Sequence, residues 1–232
     1  MPELPAAALY EKTGTIPVSG GNVWYRICGA DRPGTPLLVL HGGPGAPHDY
    51  LTPLAALADT RPVVFYDQLG CGNSDKVSGT SLLTVERFAE EVGEVRASLG
   101  LEKVFLLGQS WGCMLAVDYL LTQKPTGVQG QVLSGPCLSA SRWGADQRAH
   151  VDQLPETSRR AILDNEAART YDAPEYQDAL MEYYRPHVCR LDPWPDVLLR
   201  TCDRLAADVY RYMWGPSLLS PGRSVRTTGW PG

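Results

Sequence analysis

The sequence predicts an α/β fold: a doubly wound, mostly parallel sheet followed by a helical insertion. Two observations predict it. Short apolar runs alternate with helix-like segments over the first 135 residues, and no strand-like run occurs between residues 140 and 212. Such runs are typical of strands buried on both faces of a parallel sheet. Their alternation with helical patterns indicates that helices connect the strands.

The predicted strands lie in the N-terminal half of the chain. Residues 15–18 and 22–28 read as an antiparallel pair around the glycines at 20 and 21. Each of the later apolar runs is short and bounded by turn residues, which favours a buried strand. These runs are residues 37–40, 63–66, 104–107 and 131–134.

Helical periodicity fills the intervals between these strands. Apolar residues from Val85 to Leu99 recur at three- and four-residue spacing, with Thr84 as the predicted N-cap and Gly100 as the stop. Two further faces are predicted within residues 50–57 and 114–121. The insertion is predicted to contain a helix from Pro174, with one face at 176, 180, 184 and 188, and a second helix with one face over 198–212.

The length of 232 residues fits either one large domain or a domain with an insertion. We expect a core at residues 1–136, a helical cap at 137–217 and an irregular tail at 218–232. The net charge is −5, with 21 basic against 26 acidic residues, so nothing indicates nucleic acid or an anionic membrane as a partner. No apolar run approaches the roughly 20 residues of a membrane helix. The start MPELP lacks signal-peptide features.

The six cysteines form no C-x-x-C pair. In a chain without a leader they are expected to be reduced, and a structural zinc site is not predicted. Together with the composition, this predicts an intracellular, cytoplasmic protein.

The segment with the clearest chemistry is GQSWG at residues 108–112, which directly follows a predicted strand and opens a predicted helix. The bare pattern Gly-x-Ser-x-Gly is met often by chance. Its place between strand and helix is the context of a nucleophile elbow, in which a strained turn exposes the serine above the sheet. We therefore predict Ser110 as a nucleophile.

A glycine-rich segment, HGGPG at residues 41–45, follows the strand at 37–40. Acyl transfer needs N–H donors aimed at a developing oxyanion, and glycines let the backbone approach it closely. The N–H groups of Gly43 and Trp111 are the predicted pair, although a plain glycine turn is the alternative. His41 is expected to anchor this loop rather than to act as a base.

A third glycine-rich segment, residues 67–75, follows the strand at 63–66. It lacks the G-x-G-x-x-G spacing and does not run into a helix, so a dinucleotide site is not predicted. We expect a turn in which Asp67 and Ser74 satisfy backbone groups of the loop.

In this order, HGGPG (41–45), YDQLGCGNSD (66–75) and GQSWG (108–112) resemble the proline iminopeptidase family of α/β-hydrolases. VYRYMWGPS (209–217) is similar to the segment that ends the family's helical cap. The resemblance implies a serine hydrolase that releases an N-terminal residue, often proline, from small peptides or aminoacyl amides, with no metal or organic cofactor. It implies Ser110 as nucleophile, Gly43 and Trp111 as the oxyanion hole, and His41 and Gly42 as substrate-binding residues.

The nucleophile also needs a base and an orienting acid, which follow the serine in this fold. Downstream of Ser110 the histidines are His150 and His187, both in the helical insertion, and they are expected on solvated helix faces. We expect the acid, the base and the C-terminal strands to be missing, and turnover to be impaired. An amidase or esterase of the same fold and a non-catalytic binding product remain alternatives.

The family pattern is expected to stop near Ser217, because relatives that grip a free amino terminus carry a glutamate where Leu218 stands. The hypothesis is that the tail comes from a frameshift or an altered splice, and a natural end is the alternative. Missing strands would leave an open sheet edge, which predicts self-association.

Overall fold

The computed structural model describes residues 10–217 and residue 219, and its centre is one six-stranded sheet. The strands are β1 (Glu11–Val18), β2 (Gly21–Cys28), β3 (Leu37–Leu40), β4 (Val63–Tyr66), β5 (Val104–Gln109) and β6 (Val128–Ser134). Their order is β1-β2-β4-β3-β5-β6. β1 and β2 pair antiparallel, as do β2 and β4, whereas β3, β4, β5 and β6 run parallel. The predicted α/β class is confirmed.

The central strands owe their position to their apolar sequences. Every residue of β3 and β4 is buried, as expected for strands covered on both faces. β1 begins at residue 11 and β6 at residue 128, earlier than the periodicity indicates. β6 has one described neighbour, β5, and several of its side chains are exposed.

Two helices connect the parallel strands and cover the sheet. α1 (Val85–Ser98) is capped as predicted, because the Thr84 side chain accepts a hydrogen bond from the Arg87 N–H. Gly100 follows this helix with a φ of +65°, a conformation that favours glycine. α2 (Trp111–Gln123) begins directly after Ser110.

The helical face predicted within residues 50–57 is only partly correct. The segment His48–Asp59 forms a 3₁₀ helix, and Pro53 lies inside it. Proline has no N–H to donate, which disfavours a regular α-helical ladder at this point. Leu51 is buried, but Leu57 is 45% exposed.

Five helices follow β6 among the described residues: α3 (Ala140–Val151), α4 (Glu156–Ala168), α5 (Pro174–His187), α6 (Asp196–Asp203) and α7 (Ala207–Met213). α5 begins at Pro174 as predicted. Val188, placed on its apolar face by the sequence, is 48% exposed.

The prediction of one continuous helical face over residues 198–212 is wrong, because α6 and α7 are separate helices. The backbone turns away from helix geometry at Ala206. Its N–H donates to the carbonyl of Gly45, 3.0 Å away, instead of to the carbonyl four residues earlier. A long-range hydrogen bond therefore takes the place of one hydrogen bond of a continuous helix.

The largest group of buried side chains packs between the sheet, α1 and α2, and a separate group lies among α3, α4 and α5. In residues 10–217 and 219, no helix has both the length and the apolar character that crossing a membrane requires. The predicted tail, Leu219 excepted, and the MPELP start lie outside the described residues.

Candidate active site

Ser110 lies between β5 and α2 in a strained backbone conformation. Its φ is +53° and its ψ is −116°, a combination that L residues rarely adopt. A Cβ at Gly112 would lie 2.7 Å from the carbonyl carbon of Leu40, and one at Gly108 would lie 2.7 Å from the backbone nitrogen of Cys113. Glycine at both positions therefore lets β3, β5 and α2 approach closely enough for the strand–turn–helix geometry of a nucleophile elbow.

The backbone around Ser110 offers unpaired N–H donors. Trp111 is the first residue of α2, so its N–H has no acceptor within the helix, and the helix dipole favours negative charge there. Among the described residues, no group accepts a hydrogen bond from the N–H of Trp111 or from that of Gly43. Ser110 and Gly43 are both partly exposed.

The loop of residues 41–46, called the oxyanion loop after its predicted role, directly follows β3. β3 and β5 are parallel neighbours with Leu40 opposite Gly108, so this loop and the elbow leave the same edge of the sheet. Gly43 has a φ of +112°, and a Cβ there would lie 2.6 Å from the backbone nitrogen of Ala46. The tight fold of the loop thus requires glycine at position 43.

Tyr50 joins the oxyanion loop to the elbow. Its hydroxyl accepts a hydrogen bond from the Gly42 N–H at 2.7 Å and donates to Oε1 of Gln109 at 2.6 Å. Gln109 is the residue before the predicted nucleophile. One half-buried hydroxyl therefore fixes the spacing between the two segments that would surround a reacting carbonyl.

His41 is buried and supports the oxyanion loop. Its Nε2 accepts from the Gln68 N–H at 2.9 Å, which leaves Nδ1 as the protonated nitrogen, 3.0 Å from the carbonyl oxygen of Gly42. Burial lowers the pKa of His41, so the ring is held neutral. The Gln68 side chain accepts in turn from Nε1 of Trp111 at 3.0 Å. Hydrogen bonds thus run from the oxyanion loop to α2.

Asp67 organises the neighbouring loop. Its Oδ1 accepts from both the backbone N–H and Nδ1 of His48, at 2.9 and 2.8 Å, and its Oδ2 accepts from the Asn73 N–H. Burial alone raises the pKa of Asp67, but the hydrogen bond and charge of His48 bring it below its ordinary value. Ser74 donates to the Asp67 carbonyl and accepts from the Trp24 N–H. The predicted structural roles of Asp67 and Ser74 are confirmed.

The other two histidines contact each other in the helical region. The rings of His150 in α3 and His187 in α5 lie 4.5 Å apart, and His187 also packs on Tyr183 at 4.7 Å. In the described part of the chain, no hydrogen bond joins Oγ of Ser110 to any histidine. Each of the four histidines has its own contacts elsewhere.

Residues 10–217 and 219 contain no group of three or more histidine, cysteine or acidic side chains placed to hold a metal ion. The six cysteines, all of them described, are free thiols.

Comparison with known proteins assigns the fold and the family. A family model described as the alpha/beta hydrolase fold matches residues 35–212. The proline iminopeptidase of Heyndrickxia coagulans is 42% identical over 205 residues, which cover 88% of this chain and 71% of that protein. The chain belongs to the proline iminopeptidase family of α/β-hydrolases. The proline iminopeptidase of Clostridioides difficile (strain 630) is 36% identical over 212 residues, 90% of this chain and 72% of that one.

Two solved structures at more than 30% identity match over most of this chain. The proline iminopeptidase of Mycobacterium smegmatis superposes with a TM-score of 0.83 at 34% identity, covering 94% of this chain and 75% of that one. VinJ superposes with a TM-score of 0.88 at 36% identity, and the match covers 93% of this chain and 75% of VinJ. The N-acyl homoserine lactonase AidH, at 18% identity and a TM-score of 0.61, shares the fold.

The structure brings Ser110, Trp111, Gly42 and Gly43 to one edge of the sheet, as the iminopeptidase-like motifs predict. The ring of His41 has no exposed surface, so any part in substrate binding would act through the loop that it supports. The sequence places Tyr50 only on the helical face predicted within residues 50–57 and does not indicate its hydroxyl contacts. No local sequence signal shows that its hydroxyl reaches a residue 59 positions away.

Proposed function

We propose that this chain carries the nucleophile and oxyanion hole of a serine hydrolase that releases an N-terminal residue, proline or another, from small peptides. The observation that supports it most is the strained Ser110 at the start of α2, together with the unpaired N–H groups of Trp111 and of Gly43, whose loop leaves the same edge of the sheet. Strain of about 1–3 kcal/mol at one residue is typical of functional sites.

The proposed reaction passes through an acyl-enzyme. Oγ of Ser110 attacks the carbonyl carbon of the N-terminal residue and loses its proton, giving a tetrahedral intermediate. Its oxyanion accepts hydrogen bonds from Gly43 and Trp111, and each such donor is typically worth about 10²–10³ in rate. Collapse expels the amine of the following residue, which takes up a proton, and water then releases the acyl group. His41 and Gly42 shape the substrate-binding side of this site.

Proton transfer is the step for which residues 10–217 and 219 supply no basic group in contact with Oγ of Ser110. None of the four histidines contacts Oγ of Ser110 among the described residues, and the buried His41 ring is neutral with both nitrogens engaged. Removing triad members leaves only about 10³–10⁴ of acceleration over water. We therefore propose that the polypeptide of these residues, assayed alone, turns over poorly.

The helical region, residues 137–217, is proposed to act as a cap on the core that precedes it. The contact between Ala206 and Gly45 supports this assignment, because it places the start of α7 against the oxyanion loop. A cap in this position would limit the length of peptide that reaches Ser110.

Hydrolysis of prolyl and alanyl p-nitroanilides, with a prolyl ester as third substrate, tests the function. We expect release of nitroaniline at least about 10⁴-fold below ordinary turnover of 1–10³ s⁻¹, and its abolition by Ser110→Ala. Ser98→Ala, an exposed serine at the end of α1, is the matched control and should change nothing. Ordinary turnover that needs Ser110 would show that a base is present after all.

The panel also separates the alternatives. Preference for the ester over both amides would favour an esterase, and equal amide rates for proline and alanine would favour a broad amidase. Peptide binding without turnover, unchanged by Ser110→Ala, would favour a non-catalytic binding protein.

A further inference from the structure

The junction of α6 and α7, residues 204–206, contacts both loops at the carboxyl edge of the sheet. The guanidinium of Arg204 donates through Nη1 to Oδ2 of Asp49 and through Nη2 to Oδ1 of Asn73, each at 2.7 Å. Two residues later, the N–H of Ala206 donates to the carbonyl oxygen of Gly45 at 3.0 Å. Three hydrogen bonds therefore hold this junction against segments that lie more than 130 residues before it in the sequence.

The two partners of Arg204 lie in different segments of the chain, each next to the candidate site. Asp49 is buried in the first turn of the 3₁₀ helix that directly follows the oxyanion loop. Asn73 belongs to the neighbouring loop, where its backbone N–H donates to the buried carboxylate of Asp67. A guanidinium presents several donors in a rigid plane, so one side chain fixes the distance between an acid in the 3₁₀ helix and an amide in the neighbouring loop.

The contact at Gly45 reaches the oxyanion loop itself. Gly45 has a φ of +98°, and a Cβ there would lie 2.9 Å from the carbonyl oxygen of Ala206. The junction thus packs directly on loop backbone, two residues beyond the predicted donor Gly43. A loop with three glycines in five residues has little stiffness of its own, so its shape depends on such contacts.

We propose that Arg204 is a positioning residue for the oxyanion hole. Through Asp49, and through the junction that it holds on Gly45, it fixes the oxyanion loop with the Gly43 N–H towards the site at Ser110. Tyr50 holds one end of the same loop through Gly42, and Arg204 holds the other. The role rests on the proposed function, because an oxyanion donor acts only if it is placed before the charge develops.

A second ion pair of the helical region serves as a control. It shows whether loss of Arg204 disturbs the oxyanion loop specifically or only destabilises the helices. Arg148 of α3 donates to Glu166 of α4 at 2.8 Å. The two side chains are 36% and 10% exposed, against 35% and 12% for Arg204 and Asp49. Loss of either arginine removes an equally buried ion pair, but only Arg204 contacts the segments around the oxyanion loop.

The experiment compares the unsubstituted chain with Arg204→Gln, Arg204→Lys and Arg148→Gln. Two quantities are measured: amide hydrogen exchange of the peptide spanning residues 41–46, and the affinity for pyrrolidine-2-boronic acid, whose tetrahedral adduct mimics prolyl transfer to serine. We expect Arg204→Gln to speed exchange in that peptide and to weaken boronate binding about tenfold or more. Arg204→Lys should restore part of both, and Arg148→Gln should change neither.

Unchanged exchange and affinity in Arg204→Gln would overturn the proposal, as would equal changes in Arg148→Gln. If Arg204→Gln does not fold, Asp49→Asn weakens the same contact with little change in shape and carries the same expectation. A boronate that fails to bind the unsubstituted chain counts against the proposed function. Hydrogen exchange then still decides whether Arg204 holds the loop.

Discussion

Gly112→Ala tests the close packing on which the candidate site depends. The added Cβ would come closest to the carbonyl oxygen of Leu40. It would also lie 2.7 Å from the carbonyl carbon of Leu40 and 2.9 Å from the carbonyl oxygen of His41, whereas ordinary contacts begin at 3.4 Å. Even the carbonyl carbon is 0.7 Å too close (3.4 minus 2.7), and all three obstacles are backbone atoms. α2 must therefore move away from β3, at a cost of about 3 kcal/mol in the free energy of unfolding.

Gly93→Ala in α1 is the matched control, because it also replaces a glycine within a helix. Its Cβ would meet only Cε2 of Tyr119, at 3.6 Å, an ordinary contact. Helix propensity predicts a gain of about 0.5–1 kcal/mol. Urea unfolding followed by far-UV circular dichroism should therefore separate the two variants by about 4 kcal/mol. A Gly112→Ala chain within about 1 kcal/mol of the unsubstituted chain would refute the packing argument.

Four further predictions follow from particular residues. The free energy of unfolding in urea should be about 1 kcal/mol higher for Ser110→Gly than for Ser110→Ala, because glycine relieves the strain at φ +53°. A more stable alanine variant would contradict this. Burial raises the pKa of Glu91 from 4.5 to about 7, against the opposing charge of Arg87. Stability should therefore fall as pH rises from about 4.5 to 7, and Glu91→Gln should remove that slope in pH-dependent melting; an unchanged slope would refute it. Tyr50→Phe should cost about 1–3 kcal/mol in urea unfolding, because the Gly42 N–H loses its partner; a chain as stable as the unsubstituted one would contradict this. Sedimentation velocity should show self-association through the uncharged β6 edge, and a monodisperse monomer would argue against it.

The strands and the elbow could be predicted because their causes are local. Four consecutive apolar residues bounded by turn residues, as in β3 and in β4, are typical of a strand covered on both faces. Both strands are confirmed to the residue. The glycines at 108 and 112 mark a close approach of backbones, which the structure confirms. Thr84 caps α1 for an equally local reason, since its hydroxyl reaches the N–H three residues on.

The errors arise where distant residues decide the structure. Periodicity over residues 198–212 favours one helix, but the contact of Ala206 with Gly45 ends it. Arg204 carries no sequence signal either, because its partner Asp49 is 155 residues away. The 3₁₀ helix at His48–Asp59 follows from a proline and from packing that a helical wheel does not represent.

The central claim is that Ser110, Gly43 and Trp111 form an acyl-transfer site, and the boronate adduct tests it most directly. Boron-11 NMR of the chain with pyrrolidine-2-boronic acid should show a tetrahedral boron signal that Ser98→Ala retains and Ser110→Ala loses. Boron that stays trigonal with the unsubstituted chain, or a tetrahedral signal that survives Ser110→Ala, would contradict the claim.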